Sequence, residues 1–127
     1  MSGRYRLIGS LGSPYSRKMR AIMRYRRLPH DWVLRTERNR DEFAHLKPAL
    51  VPVLQYPDSD QMKNDSTPLA YDLEARHAER SIMPDDPCHA FLSHLIEDMA
   101  DEWLTKAMFH YRWTYEADID YASHWIA

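Results

Sequence analysis

Ser13 stands directly before Pro14 and Tyr15. At that spacing a serine hydroxyl caps a helix, Pro occupies the first helical position, and the hydroxyl lies beside the helix's positive end. Unpaired N–H groups at such an end favour an anion. Ser16, one turn further in, is the rival hydroxyl. Asp65-Ser66 offers a turn residue followed by a second cap. Pro52 follows Val51 at the head of an apolar run, where a residue without an N–H fits an edge or a strand start. Lys47, Arg38 and Arg40 supply cations in the preceding loop, with His45 as a further option. The seven histidines include no i, i+4 pair with an acidic third partner, so no metal site is expected. Cys88, the only cysteine, is expected to be a buried spectator.

These groups need elements to position them. Tyr5-Arg6-Leu7-Ile8 reads as a short strand, and Gly9 to Gly12 as a loop. The helix opened by Ser13-Pro14 carries Tyr15, Met19, Ile22, Met23 and Arg26 on one face. Arg17, Arg20, Arg24 and Arg27 form a second stripe. Leu28-Pro29-His30 ends it, and Trp32-Val33-Leu34 is a second strand, parallel to the first by a right-handed crossover. Glu37 to Lys47 is polar and suits an irregular short helix. Leu50 to Tyr56 is the clearest strand, the turn Pro57-Asp58-Ser59-Asp60 follows, and Gln61-Met62-Lys63 returns antiparallel. Ser66-Thr67-Pro68 caps a helix bearing Leu69, Leu73 and Arg76. Met83 to Pro87, with two prolines, reads as a boundary. Beyond it Phe91, Leu92, Leu95, Ile96, Met99, Trp103, Ala107 and Tyr111 mark one long amphipathic helix to about Trp113, with Met99, Trp103 and Tyr111 as core.

Composition narrows the classes. The 127 residues are 44% hydrophobic and only 28% charged, which is globular rather than disordered. No apolar run approaches the ~20 residues of a membrane helix, and Met1-Ser2-Gly3-Arg4 lacks a signal peptide's apolar stretch. With one cysteine, a reducing cytoplasm is the expected location. The net charge of −2 argues against an overall nucleic-acid binder, yet it conceals a split. Residues 1–47 hold 12 Lys/Arg against 4 Asp/Glu, and residues 48–127 hold 5 against 15. The split suggests an anionic ligand, a complementary partner or attraction between the halves. The arginine stripe comes without a Gly-aromatic RNA signature and is expected to meet Glu97, Asp98, Asp101 and Glu102 of the long helix, within or between subunits.

Three segments, in order and in register, carry a family likeness. Ser13-Pro14-Tyr15-Ser16-Arg17-Lys18-Met19-Arg20 resembles the opening of the first helix in glutathione S-transferases. Leu50-Val51-Pro52-Val53-Leu54 resembles their Val-Pro strand, and Asp65-Ser66 their acidic-Ser pair. The likeness spans about Tyr5 to Trp113. It implies an α/β thioredoxin-like fold, βαβ then ββα around a mixed four-stranded sheet, followed by an incomplete all-α segment. Residues 1–83 would be the glutathione-binding domain. Residues 84–127 would begin an all-helical domain, with the chain shortened, the gene partial, or a partner chain completing the fold by helix exchange.

The resemblance also implies roles. Ser13, with Ser16 as alternative, would donate to the glutathione sulfur and favour thiolate over thiol. Val51, before a cis bond to Pro52, would pair through its backbone with the cysteinyl unit. Ser66 and its helix start would take the γ-glutamyl carboxylate, and Asp65 the ammonium. Tyr15 would line the site, and a cation such as Lys47 would meet the glycyl carboxylate. Neither hydroxyl position holds Cys, which favours conjugation over thiol transfer.

The implied function is glutathione transfer to a hydrophobic electrophile, a detoxifying reaction. Glutathione would be a co-substrate, with no cofactor, nucleic acid or membrane involved, in a cytosolic homodimer. The alternative is a non-catalytic glutathione-binding or protein-interaction module of the same fold. A glutathione-dependent reductase or peroxidase is a weaker third.

Overall fold

In the computed structural model, residues 3–59 and 61–126 are described. The chain divides into two compact units, residues 1–82 and 83–127.

In the first unit, strand β1 (Tyr5–Gly9) pairs in parallel with β2 (His30–Leu34), and helix α1 (Pro14–Tyr25) makes the crossover. A 3-10 helix (Glu37–Phe43) follows. Strand β3 (Val53–Gln55) runs antiparallel to β1, and β4 (Met62–Asn64) antiparallel to β3. Helix α2 (Ser66–Arg76) completes a mixed sheet in the order β2-β1-β3-β4. This is the thioredoxin-like arrangement. Asp60, in the expected turn, lies outside the described residues.

Alternation along β1 explains the layers. Tyr5 and Leu7 face one side with Leu54 and Tyr56, where Met19 and Met23 of α1 and Leu69 and Leu73 of α2 cover them. Ile8 and Val53 face the other side, covered by Phe43 of the 3-10 helix. β1 is thus buried on both faces, and each large apolar side chain removed from water contributes about 1.5–3 kcal/mol. Gly9 has a steric reason. A Cβ there would lie 2.4 Å from Trp32 and 2.9 Å from the Ser16 Cβ. Its absence lets the start of α1 close directly on the sheet.

The ends of both helices are specified locally. The Ser13 hydroxyl accepts the Ser16 N–H at 3.2 Å, with Pro14 at the first helical position. At the other end of α1, Leu28 N–H bonds to Met23 C=O and Arg27 N–H to Arg24 C=O, around Arg27 at φ 55°. This is the Schellman pattern, with arginine where glycine is usual. Asp65, rather than Ser66, caps α2. Its carboxylate accepts the Thr67 N–H at 3.4 Å, and Ser66 is the first helical residue.

Register places four strand termini at one end of the sheet. Gly9 ends β1 against Leu34, Val53 opens β3 against Ile8, and Asn64 ends β4 against Val53. The Ser10–Ser13 loop, Val51-Pro52 and Asp65-Ser66 therefore gather there. The helices' C-terminal residues gather at the opposite end. Arg26, on the apolar face of α1, is fully buried, paired with Glu74, and donates to the His77 carbonyl. The Tyr5 hydroxyl meets His77 Nε2 at 2.8 Å, and Tyr56 donates to Asp72 at 2.5 Å. Arg76 bridges Asp72 and Asp58 at 3.0 Å each and lies over the Tyr56 ring.

The second unit contains α3 (Pro87–Met99), a π-helical turn (Ala100–Leu104), α4 (Thr105–Thr114) and α5 (Glu116–Ile126). Helical backbone thus runs from Pro87 to Thr114, close to the expected single helix, but a π turn within it inserts one extra residue, so the apolar stripe of α4 is rotated relative to that of α3. The expected core residues Met99, Trp103 and Tyr111 are exposed, Trp103 by 69%. Periodicity identifies an apolar stripe but not what covers it. Cys88 is likewise exposed, not buried, because it follows Pro87 in the first turn of α3.

Candidate functional site

The end of the sheet where α1 and α2 begin presents two helix N-termini, each without an acidic residue in its first turn among the described residues. That arrangement suits anionic groups. Ser13 sits at the start of α1, half-buried. A hydroxyl offers one proton and two lone pairs, so after accepting the Ser16 N–H its oxygen still carries a proton to donate.

Ser16 is differently placed. It is fully buried, and its hydroxyl accepts the Ser10 N–H at 3.2 Å. Together the two serines shape the loop: Ser13 holds the helix start, and Ser16 holds the turn before it. Arg17 reinforces the turn by donating to the Leu11 carbonyl at 2.8 Å. Tyr15 is half-buried on the first turn of α1.

Val51 lies two residues ahead of the first β3 ladder pair and is half-buried. Pro52 is fully buried, and the Val51–Pro52 peptide is cis, as the resemblance implies. Lys47–Pro48 is cis as well, a feature that sequence reading missed. The Pro48 carbonyl accepts from the Asn64 amide, which ties this loop to the end of β4. Lys47, Arg38, Arg40 and His45 are all exposed, and Arg40 pairs with Glu37 at 3.4 Å.

Asp65 has φ 75° and ψ 117°. A residue with a Cβ enters that region at a cost of about 1–3 kcal/mol, and such strain concentrates where a chain must aim particular groups. Ser66 beside it is buried. Lys18, from α1, donates to the Thr67 hydroxyl at 3.1 Å and so joins the two helix starts. Sequence reading passed over Lys18 because a single Lys within a basic stripe carries no distinguishing signal.

Chemically, the sheet end offers a hydroxyl donor at one helix start, backbone outside the ladder at Val51, and an acid–hydroxyl pair at a second helix start. Among the described residues, no group of His, Cys, Asp and Glu could hold a metal ion. No described helix is long and apolar enough to cross a membrane.

Comparison with known proteins agrees with this architecture. Residues 7–81 match the family model for the glutathione S-transferase N-terminal domain. A glutathione S-transferase from Methylobacterium radiotolerans, crystallised with glutathione sulfonate, is 27% identical, with a TM-score of 0.69 over 77% of this chain and 47% of that one. One from Methylobacillus flagellatus with glutathione bound is 24% identical, with a TM-score of 0.68 over 96% and 64%. The Tau class enzyme of mango, Mangifera indica, is 19% identical, with a TM-score of 0.72 over 95% and 56%. The last two likenesses bear on fold alone. This chain spans between 47% and 64% of the length of these three structures. No curated protein matches it. With a family model matched over more than half its length, on the sheet and helices just described, the chain belongs to the glutathione S-transferase family.

Proposed function

We propose that this chain binds glutathione at the sheet end where α1 and α2 begin, and that it serves a glutathione transferase joining the thiolate to a hydrophobic electrophile. The observation that carries this reading is the gathering of Ser13, Val51-Pro52 and the strained Asp65-Ser66 pair at one end of the sheet. Ser13 donates to the sulfur. Ser16 is the poorer candidate, because its hydroxyl is fully buried whereas Ser13 is half-buried. Val51 pairs with the cysteinyl backbone, Asp65 and Ser66 meet the γ-glutamyl end, Tyr15 lines the site, and Lys47 faces the glycyl carboxylate. Residues 1–83 form the glutathione-binding domain, and the helices of 84–127 belong to the domain that shapes the electrophile side. The working form is a cytoplasmic homodimer.

Calorimetric titration with glutathione tests the binding, and thiolate absorbance against pH tests the chemistry. A charge-assisted hydrogen bond is worth about 1.5–3 kcal/mol, so Ser13→Ala should raise the pKa of bound glutathione by about one to two units. An unchanged titration curve removes Ser13 from this role.

The second reading, a binding or interaction module without turnover, draws on the exposed Phe91, Trp103 and Tyr111 of the helical unit. Glutathione binding with no turnover across a panel of electrophiles would favour it.

A further inference from the structure

Residues 77–82 are the last of the first unit, and the chain passes through them on its way to the helices that follow. They form neither helix nor strand, yet they are tied down at both ends and in the middle. The His77 carbonyl accepts from the Arg26 guanidinium at the end of α1, and the His77 ring nitrogen Nε2 lies 2.8 Å from the Tyr5 hydroxyl of β1. Arg80 donates through Nε to the Tyr25 carbonyl and lies over the Tyr25 ring. The Ile82 N–H donates to the Glu74 carboxylate at 3.2 Å, the same carboxylate that pairs with Arg26. One ion pair thus grips the segment twice, Arg26 at its start and Glu74 at its end. The grip works against strain, because Arg80 sits at φ 54°, a left-handed conformation that a residue with a Cβ adopts at a cost.

These ties respond unequally to protons. Burial opposes a charge on Glu74, but hydrogen bonds from Ser81 and Ile82 and the Arg26 charge hold its pKa below the ordinary 4.5. It stays an anion in mild acid, and the arginines stay cations. His77 is the exception. Its half-buried ring faces Tyr5 from β1, and the charges of Arg26 from α1 and Arg76 from α2 act on it. The carboxylates at this end are engaged elsewhere: Glu74 by Arg26 and Ile82, Asp72 by Tyr56, Lys63 and Arg76, and Asp58 by Arg76. Glu79, within the segment, is exposed, and among the described residues no carboxylate pairs with the imidazole. A proton on His77 therefore sets a third cation beside two arginines without adding an anion. Opening the segment gives that charge to water instead.

We infer that residues 77–82 are an acid-released strap: neutral His77 keeps it fastened across the ends of α1 and α2, and protonation of His77 opens it while the sheet and helices stay folded.

The test is amide hydrogen exchange, followed by NMR on the full chain between about pH 7.5 and 5.5, with the intrinsic pH dependence of exchange divided out. The Ile82 amide reports the strap, and the amide of Leu7, fully buried in the middle of β1, reports opening of the whole fold. Ile82 should be less protected than Leu7 throughout. Its opening should rise by up to about tenfold per pH unit below the ordinary histidine value of 6.5. His77→Gln, which cannot take up the proton, should leave Ile82 protection level across the range.

Unchanged Ile82 protection in the unmodified chain overturns the inference. So does equal protection of Ile82 and Leu7, which would mean that the strap opens only with the whole fold. The same acid response in His77→Gln would assign the proton to another group and also overturns it. If His77→Gln does not fold, His77→Asn takes its place. Failure of both would make the ring a structural necessity rather than a release, and the inference falls.

Discussion

The two ends of the sheet solve opposite problems with the same two helices. Where α1 and α2 end, charges are paired with one another, Arg26 with Glu74 and Arg76 with Asp72 and Asp58, and the Tyr56 hydroxyl donates to Asp72. Where they begin, small hydroxyls make caps and loop ties, Ser13 on Ser16 and Ser16 on Ser10. One end spends its polar groups on holding α1 and α2 to the sheet. The other keeps donors and a strained Asp65 directed outward. Strength at one end lets the other carry strain, since about 1–3 kcal/mol at Asp65 is tolerable only in a surrounding that fixes both helices.

The contrast is sharpest at Glu74. Glu74→Ala would strand the fully buried Arg26 guanidinium, at a cost of about 3–5 kcal/mol in denaturant unfolding, while the folded fraction keeps its glutathione affinity. A loss below ~1 kcal/mol would mean that water reaches Arg26 and that the far end is not the clamp. Gly9→Ala reverses the pattern. Its Cβ must push on Trp32 and Ser16, so stability should fall by about 1–3 kcal/mol and glutathione affinity should fall with it, because the start of α1 is displaced. Unchanged affinity would show that the helix start tolerates movement.

The smallest effect is a pH dependence. Burial, then the charges of Arg26 and Arg76, push the His77 pKa below its ordinary 6.5. The unfolded chain therefore takes up this proton more readily than the folded one. The His77 contribution is fully present above pH 6.5 and is lost as pH falls from there towards the folded value. Urea midpoints measured across that interval should decline, and His77→Gln should flatten the slope. An equally steep decline in the variant would assign it to other groups.

Local signals were legible. Ser13-Pro14 announces a helix start through chemistry confined to neighbouring residues, and the alternation in β1 and the apolar run into β3 reveal their strands. Asp65 was legible as a turn residue but not as the cap, because its role depends on φ 75°, which no side-chain type dictates. Arg26 fell on the apolar face of its helix, yet its partner Glu74 lies 48 residues away. Lys18 and Thr67 are 49 apart. Such pairings follow from how α1 and α2 pack, and spacing along the chain does not encode them. The helical unit was misjudged for a related reason: the same stripe of Leu, Met and Trp reads as core whether or not it is covered.

Gly9 has a consequence for how this site can diversify. With Trp32 and Ser16 against it, the distance between sheet and helix is set by an absent side chain, and position 9 behaves as a gauge block. Ser13, four residues later, lies outside that contact. The group offered to a ligand can then be exchanged at the cost of the Ser13 cap alone, while the contact between sheet and helix at Gly9 stays unchanged. Ser13→Cys should show this as altered thiol chemistry with an unchanged near-ultraviolet dichroism spectrum.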